Sequence, residues 1–467
     1  MKKILLKISV FVITFMMTIP LTGKVLHVET ATKTYYVSKK GSDTGKGTKN
    51  DPFKTIQKAI NIAKAGSTIY VKDGTYREAI TFKRTGTKDN YITLKALNSH
   101  KAKITLKKGA SGPIIDLNGK SFIRIEDFDI GNVTAKEVYG IFIGQGVKNV
   151  IIKNNKIHDI KTNMPNNSSY GANGILCFGE GKTEEKAIQD IAITENEVYN
   201  NVTGWCEAIS IAGNAKNIKV TKNTVHDNTN IGIDFYGNAS YCKTAKLDQP
   251  RFCEASDNIV YNCKCSYADN AGIYVDGARD TVIKNNKVYG NLYGIEVGSE
   301  EGYGKDNSTP VKGIKVYGNT IYNNSSGGIR VGGFATNVSG TVMNSEIYNN
   351  TLKNNGAAED GYNGEINIEK TKNIKIYNNE IWKSESSQEA YPMINIGSDV
   401  SASYIQKLQM YGNTYYTTLK PNKVLFYLFN RECIGLDTKK GMKAMIKTKL
   451  GVDMKDKVEM IKQVKKC

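Results

Sequence analysis

Proline is scarce in this chain, at 8 of 467 residues, and histidine scarcer still, at 4. With so few histidines and no C-x-x-C pair, a zinc site has little to be built from. Cys263-Lys264-Cys265 is the sharpest such candidate and lacks the ligand spacing. No P-loop, G-x-S-x-G, H-E-x-x-H or EF-hand pattern occurs, so the chemistries tied to those motifs find no support. Only one long apolar run is present, Ile8 to Ile19, behind the basic stretch Met1 to Lys7 and ended by Pro20 and Gly23. It is short for a membrane span, has the layout of a secretory signal peptide, and is followed by no lipidation cysteine. Residues 1–31 are therefore expected to be a leader, and the chain to be secreted and soluble, with no stable membrane insertion.

What the chain does have is 44 Gly and 27 Tyr against 13 Phe. Many glycines and few prolines suit numerous short strands joined by tight turns. The formal charge is +19; four lysines and one glutamate fall in the first 31 residues, so the remainder carries +16. A surplus of this size favours acidic polymers such as nucleic acid, acidic polysaccharide or an anionic wall, although scattered lysines also make an ordinary solvated surface. All eight cysteines lie beyond the leader. In an exported protein they allow disulfides, with Cys433–Cys467 closing the tail and Cys242 and Cys253 bracketing a loop, or else buried thiols.

The opening of the chain carries a resemblance. Tyr35-Tyr36-Val37-Ser38, Gly41-Ser42-Asp43, Asp51-Pro52-Phe53-Lys54-Thr55-Ile56, then Ala65-Gly66-Ser67-Thr68-Ile69-Tyr70-Val71 and Gly74-Thr75-Tyr76-Arg77-Glu78 form one pattern. It resembles the start of exported right-handed parallel β-helix proteins of the pectate-lyase-like superfamily. The N-terminal part is similar in particular to polysaccharide lyase family nine. Phe53 to Lys64 has helical spacing with Pro52 near its start, as expected for a helix capping the open end of a solenoid. The expected fold is all-β, a right-handed parallel β-helix over residues 32–430 with an N-terminal capping α-helix. After Val424–Phe429 the repeat pattern stops, and residues 431–467 form a basic tail or cap, helical over Lys439 to Lys466. The resemblance implies a polysaccharide as partner, and no nucleic acid, on a monomeric enzyme.

The repeats agree independently. Asn-x-apolar recurs at Asn155, Asn196, Asn223, Asn258, Asn286, Asn319, Asn350, Asn379 and Asn413, at intervals of 27 to 41 residues. That is the signature of a coiled array with insertions, and the asparagines are expected to stack in left-handed turns as a ladder. A second phrase, Gly-Ile-x-apolar, recurs at Gly232, Gly272, Gly294 and Gly328. Alternation puts Ile209, Ile233, Ile273, Ile295, Ile329 and Ile366 in one buried column. The outward column beside it then reads Leu176, Ser210, Asp234, Tyr274, Glu296, Arg330, Asn367, and a second reads Phe178, Ala212, Tyr236, Asp276, Gly298, Gly332, Glu369. Asp234 and Asp276 fall about 8 Å apart by Cα, as do Asp276 and Glu296. The insertions Lys161–Asn173, Asn238–Arg251 and Glu301–Thr309 are expected to wall a groove over these columns.

Clustered carboxylates persist by sharing a cation or by raising a pKa for proton transfer, unless they are merely a solvated stripe. Two chemistries fit. In the first, Asp234, Asp276 and Glu296 bind Ca²⁺, and Arg330, with Lys305, Arg279 and Arg251 in reserve, removes a proton from a uronate for β-elimination. The second is inverting glycoside hydrolysis by paired carboxylates on the same scaffold. A carbohydrate-binding surface protein is the non-catalytic alternative. Tyr236, Tyr274, Glu207, Asp248, Arg251 and Glu300 are expected to bind substrate. Family nine uses an aspartate cluster with adjacent members and a Lys base. No Asp-Asp pair is present here, so the resemblance does not transfer that site.

Overall fold

A computed structural model describes residues 32–300 except 145, then 309–333, 340–356, 364–383, 392–397, 404–417, 424–428, 432–435 and 455–460. The side chains from residue 417 onward are outside that description, as are Lys305 and most of the Glu301–Thr309 insertion.

Residues 34–435 wind into a parallel β-solenoid of about 11 turns with very little helix. Among the described residues the strands form sheets of 27 and 13 members, and nearly every pairing is parallel. Short runs such as Ile191-Ala192-Ile193 alternate inward and outward, and each inward Ile, Val or Leu meets its copy one rung away. The result is one continuous apolar core from Tyr35 to Tyr415.

Helix α1 spans Ile56–Ile62 and packs against the first strands, covering the open end as expected. It is shorter than its apolar spacing predicts because two distant carboxylates set its start. Asp43 accepts the backbone N–H groups of Lys54 and Thr55, both at 2.9 Å, and Glu78 accepts those of Ile56 and Gln57, both at 3.0 Å. The Thr55 hydroxyl takes the N–H of Lys58, so the first turn is fully capped.

The asparagine ladder is present, with a correction to its conformation. From Asn155 to Asn413 each Asn backbone N–H donates to the Oδ1 of the next Asn at 2.9–3.1 Å. These asparagines are buried, and the left-handed backbone belongs to the residue before each of them, such as Asn154, Lys222 and Asn378. A second, parallel ladder runs Asn201, Asn228, Cys263, Asn291, Asn324, Asn355 and ends on the Glu365 carboxylate.

Eight of the 13 strands in the smaller sheet matter for the acidic columns: β1 Ala172–Gly179, β2 Ile209–Gly213, β3 Ile233–Tyr236, β4 Ala271–Asp276, β5 Tyr293–Gly298, β6 Gly327–Val331, β7 Ile366–Ile368 and β8 Ile394–Ile396. Val424–Leu428 adds one more parallel strand beside β8, and Glu432–Gly435, just past the expected end of the array, turns back antiparallel against it. Within the expected helical tail, Lys455–Met460 is a strand pairing with Gln409–Thr417; the rest lies outside the described residues. Cys177, Cys206, Cys242, Cys253, Cys263 and Cys265 are all free thiols, so Cys242 and Cys253 are not bonded. The Cys433–Cys467 pairing falls on side chains that are not described.

Candidate active site

The register from β1 to β7 is the one the repeats dictate. Ile175, Ile209, Ile233, Ile273, Ile295, Ile329 and Ile366 stack with no exposure. Their neighbours Leu176, Ser210, Asp234, Tyr274, Glu296, Arg330 and Asn367 stack on the outer side. The second column keeps register from Phe178 through Ala212 to Tyr236 and from Asp276 to Gly298, with a shift between β3 and β4 where Tyr236 bridges Gly277.

The outer face is not a solvated stripe. Asp234 is 1 % exposed, Asp276 and Glu296 each 3 %, and Arg330 5 %. Loops fold around these residues and wall an open-mouthed cavity of about 670 Å³, within the usual range for a small-molecule site. Ser168 and Tyr241 come from two of the expected insertions, whereas Trp205, Cys206, Ala268 and Asp269 come from loops that no repeat or motif marks. Trp205 stands 42 % exposed at the rim, against Tyr267 at 5.4 Å. Tyr241 packs edge-on to Phe178 and Tyr236, with ring centroids at 4.8 and 5.5 Å.

Six carboxyl groups line the cavity (Glu207, Asp234, Asp269, Asp276, Glu296 and Glu300) against the single guanidinium of Arg330. Burial pushes the Asp234 carboxyl well above the usual range, and the charges of Glu207, Asp276 and Glu300 push it further. Asp234 Oδ1 has no hydrogen-bond partner among the described residues. Glu207 is half-buried and raised to about 7, by burial first and then by Glu300, with Ser210 and Asn173 pulling it back. Glu296 is also raised to about 7 by burial, opposed by Arg330 at 3.6 Å. Asp276 Oδ1 accepts the Glu300 backbone N–H at 2.8 Å.

Arg330 also lies over the Tyr293 ring at 5.3 Å and 3.8 Å from Asp269. Although burial pulls its pKa down, Glu296, Tyr293, Glu369 and Tyr274 together outweigh this and hold the guanidinium above its ordinary value. It is a firm cation and a poor base.

Three expected substrate contacts have other places. Tyr274 is buried between Asp234 and Glu296, packs with Ile231, Ala271 and Tyr293, and does not line the cavity. Asp248 accepts backbone N–H groups from Ser240 at 2.7 Å and Cys242 at 2.9 Å, fixing the loop that carries Tyr241. Arg251, 1 % exposed, is spent on Glu184 at 2.6 Å and Asn214 at 3.0 Å. Arg279, a reserve base, pairs with Asp280 at 2.8 Å.

The carboxylates fit a shared calcium ion poorly as they stand. Tyr274 separates Asp234 from Glu296 in the column, and Glu296 already faces Arg330. Among the described residues no group of three or more His, Cys, Asp or Glu is arranged to hold a metal ion.

The solenoid and its repeats define the class of fold, a parallel β-helix, and two stretches of the chain are similar to right-handed β-helix families. A family model described as "Pel9A-like, right handed beta helix region" matches residues 35–202, and one described as "Right handed beta helix region" matches residues 250–342. The uncharacterized protein YwoF of Bacillus subtilis (strain 168) is 34 % identical over 321 residues, 66 % of this chain and 65 % of YwoF. The chain thus spans a little under two thirds of that relative's length. Among solved structures, a lacto-N-biosidase from Eubacterium ramulus is similar with a TM-score of 0.51 at 12 % identity, covering 92 % of this chain and 68 % of its own. The A-module of a mannuronan C-5 epimerase from Azotobacter vinelandii has a TM-score of 0.48 at 15 % identity, covering 88 % and 94 %. Identities this low speak for the fold alone. Among the described residues no helix is long and apolar enough to cross a membrane.

Proposed function

We propose that the acid-lined cavity hydrolyses a glycan, with Asp234 as general acid and Asp276 as general base. The observation that carries this reading is the setting of Asp234, buried, with one oxygen unpartnered and three other carboxyl groups bearing on it. Like charges so close resist ionising together, and the upward shift of Asp234 marks it as the group to hold the proton. It gives that proton to the glycosidic oxygen as the bond from the anomeric carbon breaks. Asp276 takes a proton from the water whose oxygen forms the new bond, and solvent resets both groups. Tyr236, Tyr241 and Trp205 offer ring surfaces for the sugar.

The lining also bears on the substrate. Six carboxyl groups facing one guanidinium disfavour a uronate and suit a neutral or amino-sugar glycan. The fold is compatible with hydrolysis, since the E. ramulus neighbour with this architecture is a lacto-N-biosidase. The leader read in residues 1–31 would deliver the protein outside the cell, where such polymers are met.

A calcium-dependent lyase acting on uronates is the second reading, favoured by the presence of a cation, Arg330, in the same column as the acids. Its base would have to be found elsewhere, because Arg330 holds its proton. The Pel9A-like match ends at residue 202, ahead of β3 to β6. Incubation with neutral glycans, pectate and alginate, with and without calcium, followed by mass analysis, tests both. Products that have gained one water support hydrolysis. Unsaturated products that require calcium would replace it with elimination, and binding without cleavage would leave a carbohydrate-binding protein.

A further inference from the structure

We propose that a second groove, on the N-terminal rungs, binds a carboxylate-bearing polysaccharide chain. It is a cavity of about 580 Å³ on three consecutive paired strands, Gly74–Arg77, Ala102–Thr105 and Asp129–Ala135. Its concavity is built into the backbone. Gly131 at φ 150° and Asn132 at φ 59° kink the third strand, and the Thr105 hydroxyl donates to the Asn132 carbonyl at 3.1 Å. A Cβ on Gly131 would lie 1.7 Å from the His158 carbonyl oxygen, so only glycine allows this close passage.

Four cations line the groove, Arg77, Lys103, Lys107 and Lys108, against one acid, Asp129. Asp129 is already matched by His158 at 3.1 Å and Lys103 at 3.4 Å. Among the described residues Arg77, Lys107 and Lys108 enter no ion pair, so their charge is available to a ligand. One rung interval, about 4.8 Å along the array axis, separates Arg77 from the turn that carries Lys103, Lys107 and Lys108. Thr75, Asn132 and Thr134 line the same groove with groups that pair with sugar hydroxyls. A phosphate polymer is the poorer match, since recognition of phosphate favours bidentate arginines or backbone nests and the lining holds a single arginine. Thr134 of this groove and Tyr139 of the acid-lined cavity belong to successive strands of one rung, so a bound chain would be held beside that cavity. The acidic partner that the net charge points to thus belongs here, and the inference does not rest on the hydrolytic reading.

The test is titration of the whole protein with polygalacturonate oligomers at low salt, against the triple variant Arg77→Gln, Lys107→Gln, Lys108→Gln. All three side chains are exposed, so the variant should melt with the wild type. Wild-type binding that weakens with added salt, and affinity about tenfold lower in the variant, are expected. Asp234→Asn should bind polygalacturonate as the wild type does, which separates failure here from failure of the catalytic proposal. Equal binding by the triple variant, equal binding of neutral dextran, or tighter binding of a glycerol-phosphate polymer would overturn the inference.

Discussion

At the scale of single residues, the acid-lined cavity holds charged groups that would be costly anywhere else in the core. Asp234→Asn keeps shape and removes only the proton donor. The expected outcome is a fall in kcat of at least about 100-fold with KM nearly unchanged, read by product release from whichever glycan the wild type cleaves. Arg330→Gln leaves Glu296, 3 % exposed, facing no guanidinium. Breaking a buried pair from one side costs about 3 kcal/mol. The loss should be larger at pH 8 than at pH 5, where Glu296 protonates instead. Adding Glu296→Gln should recover most of it in urea unfolding. A single variant as stable as the wild type at pH 8 would mean that the pair carries little.

At the scale of elements, the ladders make each turn depend on the next. Asn258 Oδ1 accepts the backbone N–H of Asn223, and its amide donates to the Val220 carbonyl at 2.8 Å. Asn258→Ala orphans both buried groups, for an expected loss of about 2–4 kcal/mol in chemical unfolding. The second ladder has a weak step: at Cys263 a thiol stands where the rungs on either side carry Asn228 and Asn291, and Asn228 reaches only its sulfur, at 3.7 Å. Cys263→Asn should complete the ladder and stabilise by about 1 kcal/mol. Unchanged or lower stability would show that the thiol fills the rung as well as an amide.

At the scale of the whole molecule, the buried carboxyl groups set the pH dependence of stability. Glu207, Glu296 and Glu365, ordinarily near 4.5, are each raised to about 7, and Asp234 is raised as well. The folded state therefore binds protons that the unfolded chain releases. This contribution is fully present below about pH 4.5 and is lost as pH climbs through 7. His158, raised by its bonds to Asp129 and Asp159 despite burial, adds to the same alkaline loss. Asp129 and Asp159 are lowered by their cationic partners and act oppositely, losing their contribution only in strong acid. Thermal melts should thus peak on the acidic side of neutrality. Asp234→Asn should raise Tm at pH 8 by about 2 °C and leave it unchanged below the ordinary Asp value of 3.8. A flat profile from pH 5 to 8 would contradict the buried, protonated cluster.

Period and repetition are local properties, and the amino-acid order alone carries them. The Gly-Ile phrase at Gly232, Gly272 and Gly294 holds the register of β3, β4 and β5, hence the column Asp234–Tyr274–Glu296–Arg330, because side chains alternate strictly along a strand. The Asn155–Asn413 ladder is legible for the same reason, while the second ladder is hidden by the single exchange at Cys263. Tertiary structure alone decided that the outward column is buried, for the covering loops at Trp205 and Asp269 repeat nothing and their course depends on packing across rungs. It also decided that Arg251 fastens a loop rather than meets a ligand, and that helix α1 begins at Ile56, because their partners Glu184, Asp43 and Glu78 come from other segments of the chain. A repeat determines which residues share a face; which charge meets which is settled only when the insertions fold over it.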